Sequence, residues 1–361
     1  MTFNDWLLTF LFLVSAYSVV VTAVLVAQRR QHNDKQAQNN TNIQRVHIEA
    51  LDEKEKRFQA TADEALRLSQ TFQKFVPKQF VDHIAKKGSD TLELGHADED
   101  EVAILFCDIR GFTGLSEKMR PQELMNFLNS YFLRMNDPIH QNQGFIDKFI
   151  GDAIMALFDH PGGSAKEKAV DALNAALDLR KALGIYNKHR GNSGYDPINV
   201  GVGIHFGPVI LGTVGSDDRM DTTVIGDSVN IAFRLESLTT KYNADIIVSA
   251  QVLQTIGADF PIKTRLLDWV RVKGREAPIE IYEILSHLPK EEQDIRYSVQ
   301  TKIAAGLACR INKQWDEAIA HFNAALTINP NDLLVKHHLA VCKMHRNMEL
   351  PDDWDGALNI Q

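Results

Sequence analysis

Residues 6–27 read WLLTFLFLVSAYSVVVTAVLVA, 22 residues without one charged side chain. At ~1.5 Å per residue a helix of that length spans ~33 Å, enough for a hydrocarbon layer of ~30 Å. A cleaved signal sequence is the rival reading, but it normally has a basic leading region and a shorter apolar core. Here MTFND precedes the run, with Asp5 and no Lys or Arg. We therefore read 1–28 as a retained membrane anchor. Arg29, Arg30 and Lys35 follow the run, so the positive-inside rule places the N-terminus outside and the rest of the chain in the cytoplasm.

Beyond the anchor the chain reads as folded protein. Its 361 residues allow about two domains plus appendages. With 44% apolar and 24% charged residues, disorder and low complexity are excluded for the bulk of it. Lys plus Arg is 39 against 47 for Asp plus Glu, and the net charge of -8 offers no field for a nucleic-acid backbone. Cys107, Cys309 and Cys342 lie far apart and give neither a disulfide framework nor a zinc spacing.

Residues 28–45 are polar and rich in Gln and Asn, a juxtamembrane connector. Leu51, Phe58, Ala65 and Phe72 then recur every seven residues, while the companion positions Lys54, Thr61, Leu68 and Phe75 are apolar only in their second half. This predicts a helix over about 43–75. It is either an imperfect coiled-coil seam between two copies or an amphipathic helix packed on its own domain. An acidic, turn-rich stretch at 88–100 closes the linker of 29–95. Over 96–288, predicted strands at 102–106, 145–150, 153–158, 198–205, 209–214, 244–249, 263–273 and 279–285 alternate with helices at 121–140, 164–188 and 227–240. Gly151-Asp152 and Phe206-Gly207-Pro208 read as hairpin turns. The expectation is an α+β domain with a largely antiparallel sheet and helices to one side. From 300 the pattern is purely helical. Gly306, Trp315, Ala318, Phe322, Ala325 and Pro330 recur at tetratricopeptide spacing, so 296–350 reads as one TPR-like helix pair plus a third helix, or as a generic helical hairpin. One such unit buries little alone, so it should dock on the preceding domain or pair in a dimer.

Four short stretches carry chemistry. In ILFCDIRGFT an apolar strand delivers Asp108 to its end, and Gly111, Phe112 and Thr113 follow at a helix start, a geometry suited to a phosphate and a divalent cation. In KFIGDAIMALF, Asp152 sits in a hairpin turn. Two acids on adjacent loops can share a pair of Mg²⁺ ions, as phosphoryl transfer requires. In IGDSVNIAFRLE, Asn230 and Arg234 share one helix face. An amide beside a guanidinium orients a sugar and neutralises charge on phosphorus, though a solvated face salt-bridged to Glu236 or Asp227 would look the same. In RVKGRE, Lys273 and Arg275 flank Gly274. Each stretch alone has an ordinary structural explanation as a turn, cap or solvated face.

Together FCDIRGFTGLSE, DKFIGDAIMALF, GVGIHFGPVILGTVG, TTVIGDSVNIAFRLE and RVKGR resemble the class III nucleotide cyclases in order and spacing. The resemblance covers about 96–286, and KFVPKQFVDHI resembles the segment that often precedes these domains. It implies a ferredoxin-like α+β fold working as a head-to-tail homodimer with sites at the interface. By position, Asp108 and Asp152 would be the metal carboxylates, helped by the Ile109 backbone. They would hold two Mg²⁺ per site, with Mn²⁺ able to substitute. Asn230 would face the ribose and Arg234 the transition-state phosphate, both from the other subunit. Lys273 would bind the terminal phosphates, with the choice between it and Arg275 open.

Base choice rests on Lys148 and Thr223. In this family Lys with Asp or Thr reads adenine, and Glu with Cys reads guanine. A Lys donor and a hydroxyl acceptor match the adenine N1 and N6 edge. The resemblance therefore implies an adenylate cyclase, ATP to 3′,5′-cyclic AMP and pyrophosphate. A guanylate cyclase and a catalytically dead scaffold are the alternatives. Thr222, Phe206 and Cys107 depart from common family residues. None removes a catalytic group, and Cys107 reads best as core filling. His205 reads as structural. The tail or the anchor is the expected contact for any protein partner.

Overall fold

The computed structural model describes residues 3–72, 97–160, 162–216, 218–272, 277–351 and 354–360. The chain divides into two compact units, Met1–Phe75 and Val76–Gln361. The predicted KFVPKQFVDHI segment and most of the acidic 88–100 stretch lie outside the described residues.

The described residues of the first unit form one helix, α1 (Phe3–Phe72). It runs unbroken through the Gln/Asn-rich 28–45 stretch, which sequence reading had separated as a connector. The chain has no Gly or Pro before Pro77 to interrupt it. Arg45–Glu49, Lys56–Asp52 and Arg57–Glu53 pair one turn apart along its second half. Leu13–Asn33 is long and apolar enough to cross a membrane, with mean hydropathy 1.2. Leu51, Phe58 and Leu68 are exposed.

The second unit is built on a sheet in the order β2-β3-β1-β4-β6-β8-β7-β9, with β5 also paired to β4. Its strands are β1 (Ala97–Ile109), β2 (Phe145–Ile150), β3 (Ala153–Phe158), β4 (Val200–Ser216), β5 (Arg219–Ile225), β6 (Ile246–Ser249), β7 (Thr264–Val272), β8 (Ile279–Ile284) and β9 (Leu358–Ile360). Most pairings are antiparallel; β4–β6 and β7–β9 are parallel. The helices are α2 (Phe112–Ser116), α3 (Pro121–Gln141), α4 (Ala165–Asn192), α5 (Asp227–Tyr242), α6 (Ala250–Ile256), α7 (Lys290–Ser298), α8 (Gln300–Ile311), α9 (Trp315–Ile328) and α10 (Leu333–His345). The α+β architecture expected from the sequence is present.

Alternation along β1 shows how the layers form. Ala103, Leu105, Cys107 and Ile109 face a core shared with α3 and α4. Val102, Ile104 and Phe106 face the other side, where Ala232 of α5 packs. Helices therefore cover both faces of the sheet rather than one. The exception matters because α5 carries Asn230 and Arg234.

Two readings of local structure are corrected. Phe206-Gly207-Pro208 is no turn: β4 runs straight through it, with Glu101 opposite Pro208. On its second edge β4 pairs with β6 only at 202–204 and with β5 only at 210–216. Pro208 lies in the gap, where a residue without N–H costs least. The hairpin instead closes between Ser216 and Arg219. β1 likewise starts at Ala97, because its acidic first residues pair with the extended β4.

The C-terminal helices dock on this unit. Ile303, Leu307 and Phe322 share a core with Ile231, Leu235 and Leu238 of α5. This is one of the two arrangements that the sequence left open for the tail.

Candidate functional site

β1 pairs with β3 so that Cys107 stands opposite Ile154, which brings the end of β1 beside the β2–β3 turn. Gly151 supplies the left-handed residue of that turn, at φ 65°. Asp108 and Asp152 then meet at a single donor. The Ile109 N–H lies 3.0 Å from Asp108 Oδ1 and 3.3 Å from Asp152 Oδ2. Burial, and then the Asp108 carboxyl beside it, push Asp152 up to about 7. Two half-buried carboxyls on one N–H form an all-oxygen set short of positive charge, a donor chemistry that fits a hard divalent cation.

A third acid lies behind them. Glu236 of α5 is buried, and its carboxyl is pushed up to about 8 by that burial and by Asp108, with Arg110 opposing. The approach of α5 depends on glycine in β4. A Cβ at Gly203 would stand 2.2 Å from the Glu236 N and 2.6 Å from the Ala232 carbonyl oxygen. Sequence reading named Glu236 only as a salt-bridge partner in the alternative, solvated reading of the Asn230–Arg234 face. The glycines of GVG inside an apolar strand were the available signal of a close helix approach. Arg110, just beyond the carboxylates, donates to the Ala244 carbonyl at 2.6 Å and pairs with Asp245 at 3.4 Å, fastening this loop to the chain that follows α5.

Asn230 and Arg234 occupy another face. With 3.6 residues per turn, positions 230, 234 and 237 align, roughly opposite 232, 236 and 239. Asn230 and Ser237 are exposed and Arg234 half-buried, while Ala232, Glu236 and Thr239 are buried. The Asn230–Arg234 face thus turns away from the side of α5 that lies toward Asp108 and Asp152 in the same chain.

Lys148 projects from β2 beside Asp147, 3.4 Å away. A register shift between Ile146 and Lys148 marks a bulge. It leaves the Asp147 side chain 1% exposed, with both oxygens lacking a hydrogen bond among the described residues. Sequence reading missed Asp147, because a bulge leaves no periodic trace in so short a strand. Thr223 is in β5 opposite Gly212. Gly111 caps α2, and Phe112 and Thr113 are that helix's first residues. Lys273 and Arg275 lie outside the described residues.

Cys107 is buried 3.5 Å from the Tyr131 hydroxyl, and burial pushes its thiol up to about 12, so it fills the core as an unreactive group. His205 is buried with Nδ1 2.8 Å from Ser249 Oγ, a structural role as expected.

Comparison with known proteins agrees with this geometry. The family described as Adenylate and Guanylate cyclase catalytic domain matches residues 94–286. An adenylate cyclase of Anabaena cylindrica is 44% identical over 219 residues, 59% of this chain and 42% of that protein. The terminal-differentiation-specific adenylate cyclase of Dictyostelium discoideum is 34% identical over 266 residues, 73% of this chain and 12% of that protein. The chain thus spans less than half the length of either relative. A solved bacterial light-regulated adenylyl cyclase superposes with a TM-score of 0.55 at 26% identity, covering 68% of each chain. Paired acids at the end of a central strand, the Asn-x-x-x-Arg face on α5 and a family match across the strands from β1 to β8 lead to one conclusion. The chain belongs to the adenylate and guanylate cyclase catalytic domain family.

Proposed function

We infer that this protein is an adenylate cyclase converting ATP to 3′,5′-cyclic AMP and pyrophosphate. The observation that carries the reading is the meeting of Asp108 and Asp152 at the Ile109 N–H. The first-named relatives, both adenylate cyclases, support the substrate. Two Mg²⁺ ions, or Mn²⁺ in their place, held by Asp108, Asp152 and the Ile109 backbone, would acidify the ribose 3′-OH and offset phosphate charge. Asn230 orients the ribose. Arg234 neutralises charge that builds on the α-phosphorus during in-line attack. Backbone N–H groups of Gly111, Phe112 and Thr113 cradle phosphate oxygens, and Lys273 takes the terminal phosphates. Lys148 donates to adenine N1 and the Thr223 hydroxyl accepts from N6.

The opposite orientation of the two faces of α5 supports a homodimer in which one chain's carboxylates work with Asn230 and Arg234 of its partner. Exposed Ile210, Val214, Met220 and Ile225 on the β4–β5 arm supply apolar surface for that pairing. Exposed Leu51, Phe58 and Leu68 favour a two-stranded seam along α1. We assign 1–28 to a single-pass anchor with the N-terminus outside, 29–95 to a linker, 96–288 to the cytoplasmic catalytic domain and 296–350 to a TPR-like segment.

The test is to supply purified protein with ATP or GTP, with Mg²⁺ and with Mn²⁺, and to identify both products. Cyclic AMP as the main product is expected. Cyclic GMP as the main product, or no turnover by a folded dimer, would overturn the reading.

A further inference from the structure

The family match ends at residue 286, yet the helices beyond it share a hydrophobic core with α5. At the centre of that contact is Asp268 of β7, fully buried. It accepts from the Tyr242 hydroxyl of α5 at 2.6 Å, from the Trp269 N–H at 2.7 Å and from the guanidinium of Arg310 on α8. Arg310 is fully buried too, and it also donates to the Gly356 carbonyl at 3.2 Å. Its other terminal nitrogen lies 3.3 Å from His338 Nδ1 on α10. His338 Nε2 lies 2.7 Å from the Leu267 carbonyl, which only accepts. That contact fixes the tautomer: Nε2 carries the hydrogen and Nδ1 accepts from Arg310. Asp268, His337 and His338 are close enough to suggest a metal set, but Arg310 already supplies their positive charge.

We propose that Arg310 and Asp268 are positioning residues for α5, through Tyr242, and hence for Asn230 and Arg234 on its outer face. The C-terminal helices are then a structural part of the catalytic unit, not an appended partner-binding module. Two features favour positioning over bulk support. Tyr242 lies in the last turn of α5, three turns beyond Asn230, so a tilt at this end swings the whole helix. The other end of the network is tied to three separate C-terminal elements, α8, α10 and the Gly356 segment before β9, so Asp268 has little freedom to follow a shift.

The proposal rests on the adenylate cyclase reading, and a second buried ion pair supplies a matched control. Arg265 pairs with Glu283 at 2.7 Å and Asp332 at 2.6 Å, is 2% exposed, and makes no hydrogen bond to α5 among the described residues. Full-length Arg310→Met, Arg310→Lys, Tyr242→Phe and Arg265→Met proteins should be compared by kcat, KM for ATP, melting temperature and amide exchange. We expect Arg310→Met and Arg265→Met to melt lower together. Only Arg310→Met should lose kcat, about tenfold or more, with KM nearly unchanged and faster exchange across residues 228–242. Arg310→Lys should recover part of kcat, and Tyr242→Phe should lose kcat several-fold with little change in melting temperature. If Arg310→Met fails to fold, Tyr242→Phe decides. Wild-type kcat in Tyr242→Phe, or an equal kcat loss in Arg265→Met, would overturn the proposal. A wild-type protein that turns over neither nucleotide would overturn the cyclase reading, and exchange across α5 would still decide the positioning.

Discussion

Ile109 and Asp152 are 43 residues apart in sequence, yet the Ile109 N–H lies 3.3 Å from the Asp152 carboxylate. The same N–H serves Asp108, and burial beside that second acid keeps Asp152 near neutrality in its titration, at about 7. A cation bound there relieves both effects, and its binding free energy adds to stability. Mg²⁺ or Mn²⁺ near saturation should therefore raise the melting temperature by roughly 5 °C. Asp108→Asn and Asp152→Asn should each abolish that rise and cut cyclic AMP formation by about 10³-fold or more. A metal-dependent rise retained in both variants would place the cation elsewhere.

Glu236 gives a pH prediction that needs no substrate. Its carboxyl sits at about 8 in the folded chain against an ordinary 4.5, through burial first and Asp108 second, with Arg110, Asp152 and Thr239 also facing it. Below pH 4.5 both states hold the proton. Between 4.5 and 8 the unfolded chain releases it and the folded chain keeps it, so stability falls as pH rises through that window. Glu236→Gln removes this dependence while Asp152, shifted the same way, remains. In chelator the variant should be the more stable protein at pH 8, by roughly 1–3 kcal/mol, with the gap closing toward pH 5. A constant difference across the range would mean that Glu236 is ionised throughout.

Base selection is separable from catalysis. Lys148→Glu with Thr223→Cys removes the donor and the acceptor assigned to adenine while leaving Asp108, Asp152, Asn230 and Arg234 intact. ATP turnover should fall by about 10²-fold or more, because the remaining groups mismatch the adenine edge. Unchanged kcat/KM for ATP would detach these two residues from base recognition.

The helix α1 offers a mechanical test. Inserting one residue near Ala60 rotates the downstream seam by ~100°, and inserting seven nearly restores it. If two copies are held in register along Leu51, Phe58 and Leu68, the single insertion should change cyclic AMP output several-fold and the heptad insertion much less. Equal output would make the segment a passive tether.

Local pattern carried the placement of the two acids. The apolar run before Asp108 and the Gly-Asp turn before Ala153 fall where periodicity puts them, because both are set by neighbouring residues. Pro208 misled, because its tolerance depends on an edge left unpaired between two partner strands, a tertiary fact. The burial of Glu236 was not legible for the same reason: it comes from the close approach of α5 to Gly203, in a strand 33 positions away. The anchoring of α5 by Arg310 was beyond any local reading, since Arg310 in a helical repeat looks like a surface residue until Asp268 is known to face it.

In the proposed homodimer each active site draws its carboxylates from one chain and its Asn230–Arg234 face from the partner. Asp108→Ala and Arg234→Ala should each be inactive alone and should be mixed in equal amounts under conditions where subunits exchange. Random pairing makes half of the dimers mixed, each with one intact site of two, so cyclic AMP formation should return to about a quarter of the wild-type rate. No recovery, with mixed dimers demonstrated, would contradict the shared site.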